Sequence, residues 1–149
     1  MNLSFIIRHP NESDLESLTE LMYEYIVDFY QCPKPPEQNV HQLIKTLQQK
    51  EKGIQFLAEE NGKAAGFATL YFTYSTTRAE PITIMNDLYV REAYRGTGAA
   101  EKLFKSCHTF SRQHQYAAMT WETADDNARA QRFYEKMGGK KGDFLTYSI

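Results

Sequence analysis

Apolar positions along the chain follow two periods, and the switch between them predicts the elements. From Ile82 to Val90 they alternate, with Ile82, Ile84, Leu88 and Val90 in phase, the mark of a half-buried strand. A polar loop, Arg91 to Thr97, follows. The apolar residues then return at helical spacing, at Ala99, Ala100, Leu103, Phe104, Cys107 and Phe110.

The same reading upstream predicts a short strand, Leu3 to Arg8, then a helix with Asn11, Ser13 and Asp14 as N-cap choices. Its stripe is Leu15, Leu18, Leu21, Met22, Tyr25, Ile26 and Phe29, and the prolines of Cys32-Pro33-Lys34-Pro35-Pro36 stop it. A second helix runs to about Lys50 on Val40, Leu43, Ile44 and Leu47. A hairpin follows, Ile54 to Glu59 and Ala64 to about Tyr74, joined at Glu60-Asn61-Gly62. Downstream come a strand from Tyr116 to Trp121, a helix from Asp126 to Met137 closed by Gly138-Gly139, and a last strand from Phe144 to Ile149. The order βααβββαβαβ mixes hairpins with crossovers. It predicts one α/β domain over residues 1–149, a mixed twisted sheet flanked by helices.

Composition narrows the function classes. A chain of 149 residues is long enough to bury a core, and a net charge of −2 offers no field for nucleic acid. No apolar run has membrane-spanning length and no basic-then-apolar leader opens the chain, so the expected place is the cytoplasm. Cys32 and Cys107 make no disulfide framework, and His9, His41, His108 and His114 lack zinc-ligand spacing, so no metal is expected.

A strand that turns through glycines into a helix is a device for holding phosphate. The first helical N–H groups have no internal partner, and glycine lets an anion approach the backbone. Here the turn is Arg95-Gly96-Thr97-Gly98-Ala99-Ala100. It lacks the Gly-Lys-Ser/Thr ending of a Walker loop and the third glycine of a dinucleotide fingerprint. It does match Arg/Gln-x-x-Gly-x-Gly/Ala, and with the preceding Leu88-Tyr89-Val90 it resembles the Gcn5-related N-acetyltransferase (GNAT) superfamily. A second segment, Asn127 to Gly138, is similar to that family's Asn-x-x-Ala-x-x-Phe-Tyr-x-x-x-Gly at every fixed position. The resemblance implies acetyl-coenzyme A as cosubstrate and a small-molecule amine as acceptor. It implies pyrophosphate contacts from Arg95, Gly96, Thr97, Gly98, Ala99 and Ala100, and contacts to the cofactor from Asn127 and Tyr134. Leu88, Tyr89 and Val90 become the strand that meets the cofactor.

Acetyl transfer to an amine makes three demands. An alkylammonium, with a pKa of about 10.4, must lose a proton before it can attack. Charge collecting on the acetyl oxygen needs N–H donors, here the backbone of Leu88 to Val90. The leaving thiolate needs a proton, for which Tyr134 is the candidate acid. Asp87, Glu122 or a water chain are the candidates for the base. The run from Gly66 to Gly98 looks most like the diamine and thialysine acetyltransferase branch, where the base is a glutamate directly before the strand aspartate. This chain has Asn86 there, which cannot accept a proton. Glu24, Asp28 and Glu37 bracket the first helix–helix turn and either attract a cationic acceptor or form a solvated face. Two rival readings stand beside small-amine transfer: acetylation of a protein lysine or N-terminus, and an acyl-CoA-binding module without turnover. A homodimer formed by exchange or pairing of the last strand is compatible with such a fold.

Overall fold

In a computed structural model, which describes residues 4–149, a five-stranded sheet separates two layers of helix. The strands are β1 (Ile6–Arg8), β2 (Gly53–Glu60), β3 (Lys63–Ser75), β4 (Glu80–Val90) and β5 (Met119–Thr120), in that spatial order. β1 to β4 are antiparallel, and β5 joins β4 in parallel. The helices are α1 (Leu15–Tyr23), α2 (Glu37–Gln48), α3 (Ala99–Gln113) and α4 (Ala128–Lys136). Asn61 and Gly62 both have positive φ, 51° and 75°, as a tight hairpin turn demands.

Each face of the sheet has its own core. Ile54, Phe56, Ala68, Leu70 and Met85 meet Leu103, Phe104 and Cys107 of α3, and Phe133 and Tyr134 of α4, with Met137 just after it, cover the margin. On the opposite face Leu57, Phe67 and Tyr89 meet Leu18, Leu21 and Met22 of α1 with Val40 and Ile44 of α2. The chain enters α1 through a 3-10 turn, Glu12–Asp14, closed by a capping box between Asn11 and Asp14. The Arg8 guanidinium grips Asp14 at 2.7 Å and Glu59 at 3.0 Å, which joins that turn to the sheet.

A bulge in β4 decides what each face receives. Leu70 pairs with Met85 and Thr69 with Asp87, so Asn86 has no partner opposite and is exposed. Before it, Thr83 and Met85 point at α3, with Thr83 Oγ1 2.7 Å from Ser111 Oγ. After it, Leu88 and Val90 take the α3 face and Tyr89 the α1 face. One inserted residue shifts the phase of the strand, because side chains alternate with a period of two.

Three sequence expectations change. Leu3 lies outside the described residues, and the first strand spans only Ile6–Arg8. The strand expected from Tyr116 to Trp121 shortens to Met119–Thr120. The last strand, Phe144 to Ile149, is not formed: this tail joins no strand among the described residues, and Phe144, Leu145 and Tyr147 are exposed. Its alternation is strand-like, but a strand needs a partner edge, and the two-residue β5 offers almost none. The order among the described residues is therefore βααβββαβα rather than βααβββαβαβ.

Gly66 sits where β3 passes closest to the end of β4. A methyl there would run into the Tyr89 carbonyl oxygen and stand 3.1 Å from Val90 Cα, both backbone atoms. Gly66→Ala should therefore lower stability by about 1–3 kcal/mol in urea titration, as overpacking against a rigid neighbour does.

Candidate active site

β4 and β5 pair only at Thr83 with Met119 and Ile84 with Thr120. Beyond Ile84 they part, so the stretch from Met85 to Val90 has β3 on one side and no strand on the other. A split of this kind exposes ladder N–H and C=O groups to whatever enters it. β4 then runs through Arg91 and a 3-10 turn, Glu92–Tyr94, into the glycine turn and α3.

The glycine turn has the form the sequence predicts. Gly96 and Gly98 have φ of 75° and 95°, values that L side chains rarely adopt, and the space a Cβ would occupy is open at both. Gly98 is the N-cap of α3, no side chain caps that end, and the Thr97 hydroxyl pins the turn to the Tyr94 carbonyl. The first amides of α3 thus face outward on open backbone, which fits a pyrophosphate. Ala99 is buried beneath the turn and Ala100 half-buried. The Arg95 side chain turns back along the cleft wall: Nε donates to the Val90 carbonyl at 3.2 Å, and the guanidinium lies 5.9 Å from the Phe29 ring centre.

α4 supplies the facing wall. Asn127 is its N-cap, with Oδ1 accepting from the Ala130 amide at 3.1 Å, which leaves the Nδ2 donors for another partner. The Tyr134 ring packs on Trp121 at 5.3 Å and Phe104 at 6.4 Å. Burial, and then the neighbouring Tyr30, push its phenol up to about 12, so at neutral pH it keeps its proton.

The bulge turns Asp87 towards the α1 side. Burial raises its carboxyl above the ordinary range, while the neighbouring donors Thr69, Tyr25 and Asn86 favour its charged form and oppose the rise. The Asn86 bond is 3.1 Å, to Oδ1. Around Asp87 stand aromatic rings. Tyr71 is pushed up to about 12 by burial and then by the charge of Asp87. Tyr25 is also pushed up, for the same two reasons first. After Tyr23 the helix widens into a π-helical turn, Glu24–Phe29, with Tyr30 N bonded to Tyr25 O at 3.1 Å. The wider turn puts three rings together: Tyr25 and Phe29 stack at 6.4 Å, and Tyr30 meets Tyr25 edge-on at 4.9 Å.

Some sequence candidates are engaged elsewhere. Glu122 is exposed beyond β5 and accepts from Thr146 Oγ1 at 2.8 Å; no hydrogen bond among the described residues joins it to Asp87 or Tyr134. Glu24 is held by Arg91 at 2.8 Å and accepts from the Tyr89 hydroxyl at 3.2 Å. Glu37 lies 3.4 Å from His41, while Asp28 is exposed. The sequence reading missed Tyr30, Tyr71, Thr69 and Gln55. A signal existed for Gln55, a lone amide between Ile54 and the apolar pair Phe56-Leu57, in a strand buried on both faces.

The split in the sheet, the glycine turn and the rings around Asp87 lie along the end of β4 and the start of α3. The sequence profile of the acetyltransferase (GNAT) family matches residues 19–139, and the chain belongs to that family. It is thus an N-acetyltransferase, an enzyme class that moves an acetyl group onto amines. It is 30% identical over 144 residues to an uncharacterized N-acetyltransferase, YhfO, of Bacillus subtilis (strain 168), covering 96% of this chain and 95% of that protein. It is 27% identical over 122 residues to a thialysine N-epsilon-acetyltransferase of Caenorhabditis elegans, covering 80% and 73%. Among solved structures, an aminoglycoside N-acetyltransferase, AAC(6')-Iy, in complex with CoA superposes with a TM-score of 0.86. That likeness, at 18% identity over 100% of this chain and 96% of the other, is one of fold.

If the turn holds the pyrophosphate, Gly98→Ala should weaken CoA binding about tenfold, because a left-handed residue with a Cβ costs about 1–2 kcal/mol. Isothermal titration calorimetry measures this, with thermal melting as the control. An unchanged affinity would take the turn out of the binding site.

Proposed function

We propose that the chain transfers the acetyl group of acetyl-CoA directly to a primary amine of a small molecule, in a ternary complex. The acceptor class is a diamine, a polyamine or an amino-acid-like amine. The observation that carries this reading is Asp87, a carboxyl half-enclosed by tyrosines where β4 leaves β5. Burial raises its pKa towards that of a useful base, and the surrounding rings suit an alkylammonium chain.

Acetyl-CoA supplies the activated acetyl group and a thiolate leaving group. The amides from Arg95 to Ala100 hold its pyrophosphate, and Asn127 offers its amide to the chain beyond. Asp87 takes the proton from the bound ammonium, either directly or through one water. Backbone N–H groups of Leu88 to Val90 donate to the acetyl oxygen as charge collects on it. Tyr134 gives its proton to the departing sulfur, a role that its high pKa permits. Glu122 loses its place as base, because it lies exposed against the tail.

The whole chain acts as one catalytic domain, and the cytoplasm suits an enzyme with an exposed free thiol at Cys32. We extend the reading to a homodimer. Leu145, Tyr147 and Ile149 alternate with Thr146 and Ser148, yet they and Phe144 are uncovered, and a second copy would cover them. Light scattering should give twice the chain mass for the full chain and the single mass for a chain ending at residue 142. A monomer in both cases refutes the dimer.

Thiol release from acetyl-CoA at about pH 8 tests the chemistry against diamines, polyamines, amino acids and lysine peptides. Turnover with one small-amine class is expected, falling on the order of 10²–10⁴-fold in Asp87→Asn and in Tyr134→Phe. The base must be ionised, so kcat/KM should fall as pH drops through the raised Asp87 pKa. That limb should lie above the ordinary carboxylate range of about 4. Turnover confined to peptides would favour protein acetylation, and CoA binding with no turnover on any amine would favour a binding module.

A further inference from the structure

Two polar side chains lie inside the sheet behind the proposed base. Gln55 and Thr69 are 3% and 1% exposed, on neighbouring strands whose other buried residues are all Gly, Ala, Ile, Leu or Phe. Gln55 Nε2 donates to Thr69 Oγ1 at 3.2 Å, and its other hydrogen-bond partner among the described residues is Met22 Sδ, at 3.8 Å. Thr69 is in turn the residue directly across the ladder from Asp87, at the first pair after the bulge.

Hydrogen-bond direction follows from the inventory of donors. An amide nitrogen only donates, so the Thr69 oxygen receives and its single proton remains free. The acceptor beside it is the carboxyl of Asp87, its cross-strand partner, whose charged form Thr69 favours. We propose that Thr69, braced by Gln55, is the positioning residue of Asp87, its hydroxyl locked as a donor that holds one carboxylate oxygen and leaves the other for the acceptor. The proposal rests on Asp87 being the base. It gives Gln55 a reason to be polar in a strand that otherwise calls for an aliphatic residue. The other groups facing Asp87 are Tyr25 from the π-turn, Tyr71 from β3 and Asn86 beside it on β4; all three are uncharged at neutral pH.

A polar pair serving only to fill the core would affect stability and leave Asp87 alone. The readout is therefore the 13C titration of the Asp87 carboxyl by NMR, assigned by its loss in Asp87→Asn. In Thr69→Val, which keeps the branched shape, the midpoint should rise by about one pH unit, because a bond to the charged form is lost. The acid limb of kcat/KM should follow it with the best amine of the panel above. Thr69→Ser should restore the wild-type midpoint, and Gln55→Met should move it part of the way up. If Thr69→Val fails to fold, Gln55→Met and Thr69→Ser carry the test. A wild-type midpoint in Thr69→Val, or in Gln55→Met where only that variant folds, overturns the proposal. Full turnover in Asp87→Asn would instead overturn the base assignment, while the titration still reports whether Thr69 holds the carboxyl.

Discussion

The site depends on one extra residue in β4. With Asn86 unpaired, the strand changes phase between Met85 and Asp87, and a carboxyl that would otherwise enter the α3 core faces the α1 side. The same shift brings Tyr89 under α1, where its hydroxyl meets Glu24, and leaves Leu88 and Val90 to close the α3 core. It also falls just past Ile84, the last residue of β4 paired with β5. The bulge and the split are thus adjacent: one re-aims the side chains, and the other uncovers the backbone beside them.

Around that point two titratable groups are driven in the same direction by the same cause. Burial raises the Asp87 carboxyl towards the range of a base, and it raises the Tyr134 phenol so that it stays protonated. They come from different elements, β4 and α4. Tyr25 and Tyr30 stand between these environments, since Tyr25 senses Asp87 and Tyr134 senses Tyr30. The π-helical turn makes this arrangement. Its i to i+5 bond gathers Tyr25, Phe29 and Tyr30 in one patch, where α-helical spacing would have turned Tyr30 away from the other two.

Much of this was legible in the chain. The glycine turn could be read because its constraint is local: Gly96 and Gly98 are needed for positive φ whatever surrounds them. Asn127 could be read as a helix start for the same reason, and its side chain does cap α4. The hairpin at Asn61-Gly62 and the stripes of α1, α2 and α3 also follow from spacing alone. Other features were not legible. Phe144 to Ile149 alternates like a strand yet joins no strand among the described residues, because pairing is a property of two segments. Glu24 had the look of a surface acid, and only the arrival of Arg91 from the end of β4 makes it an ion-pair partner.

Sequence by itself therefore determined most of the elements, the glycine turn and the motif helix, all properties in which a residue and its near neighbours set the backbone. Tertiary structure alone decided which carboxyl is enclosed. Asp87 and Glu122 were equal candidates in one dimension, and they separate only when β3 sets the register of β4 and the tail reaches Glu122. The physical reason is that a pKa, a facing side chain and a paired edge depend on contacts between residues distant in the chain. Periodicity reports which residues are buried, but it does not report against what.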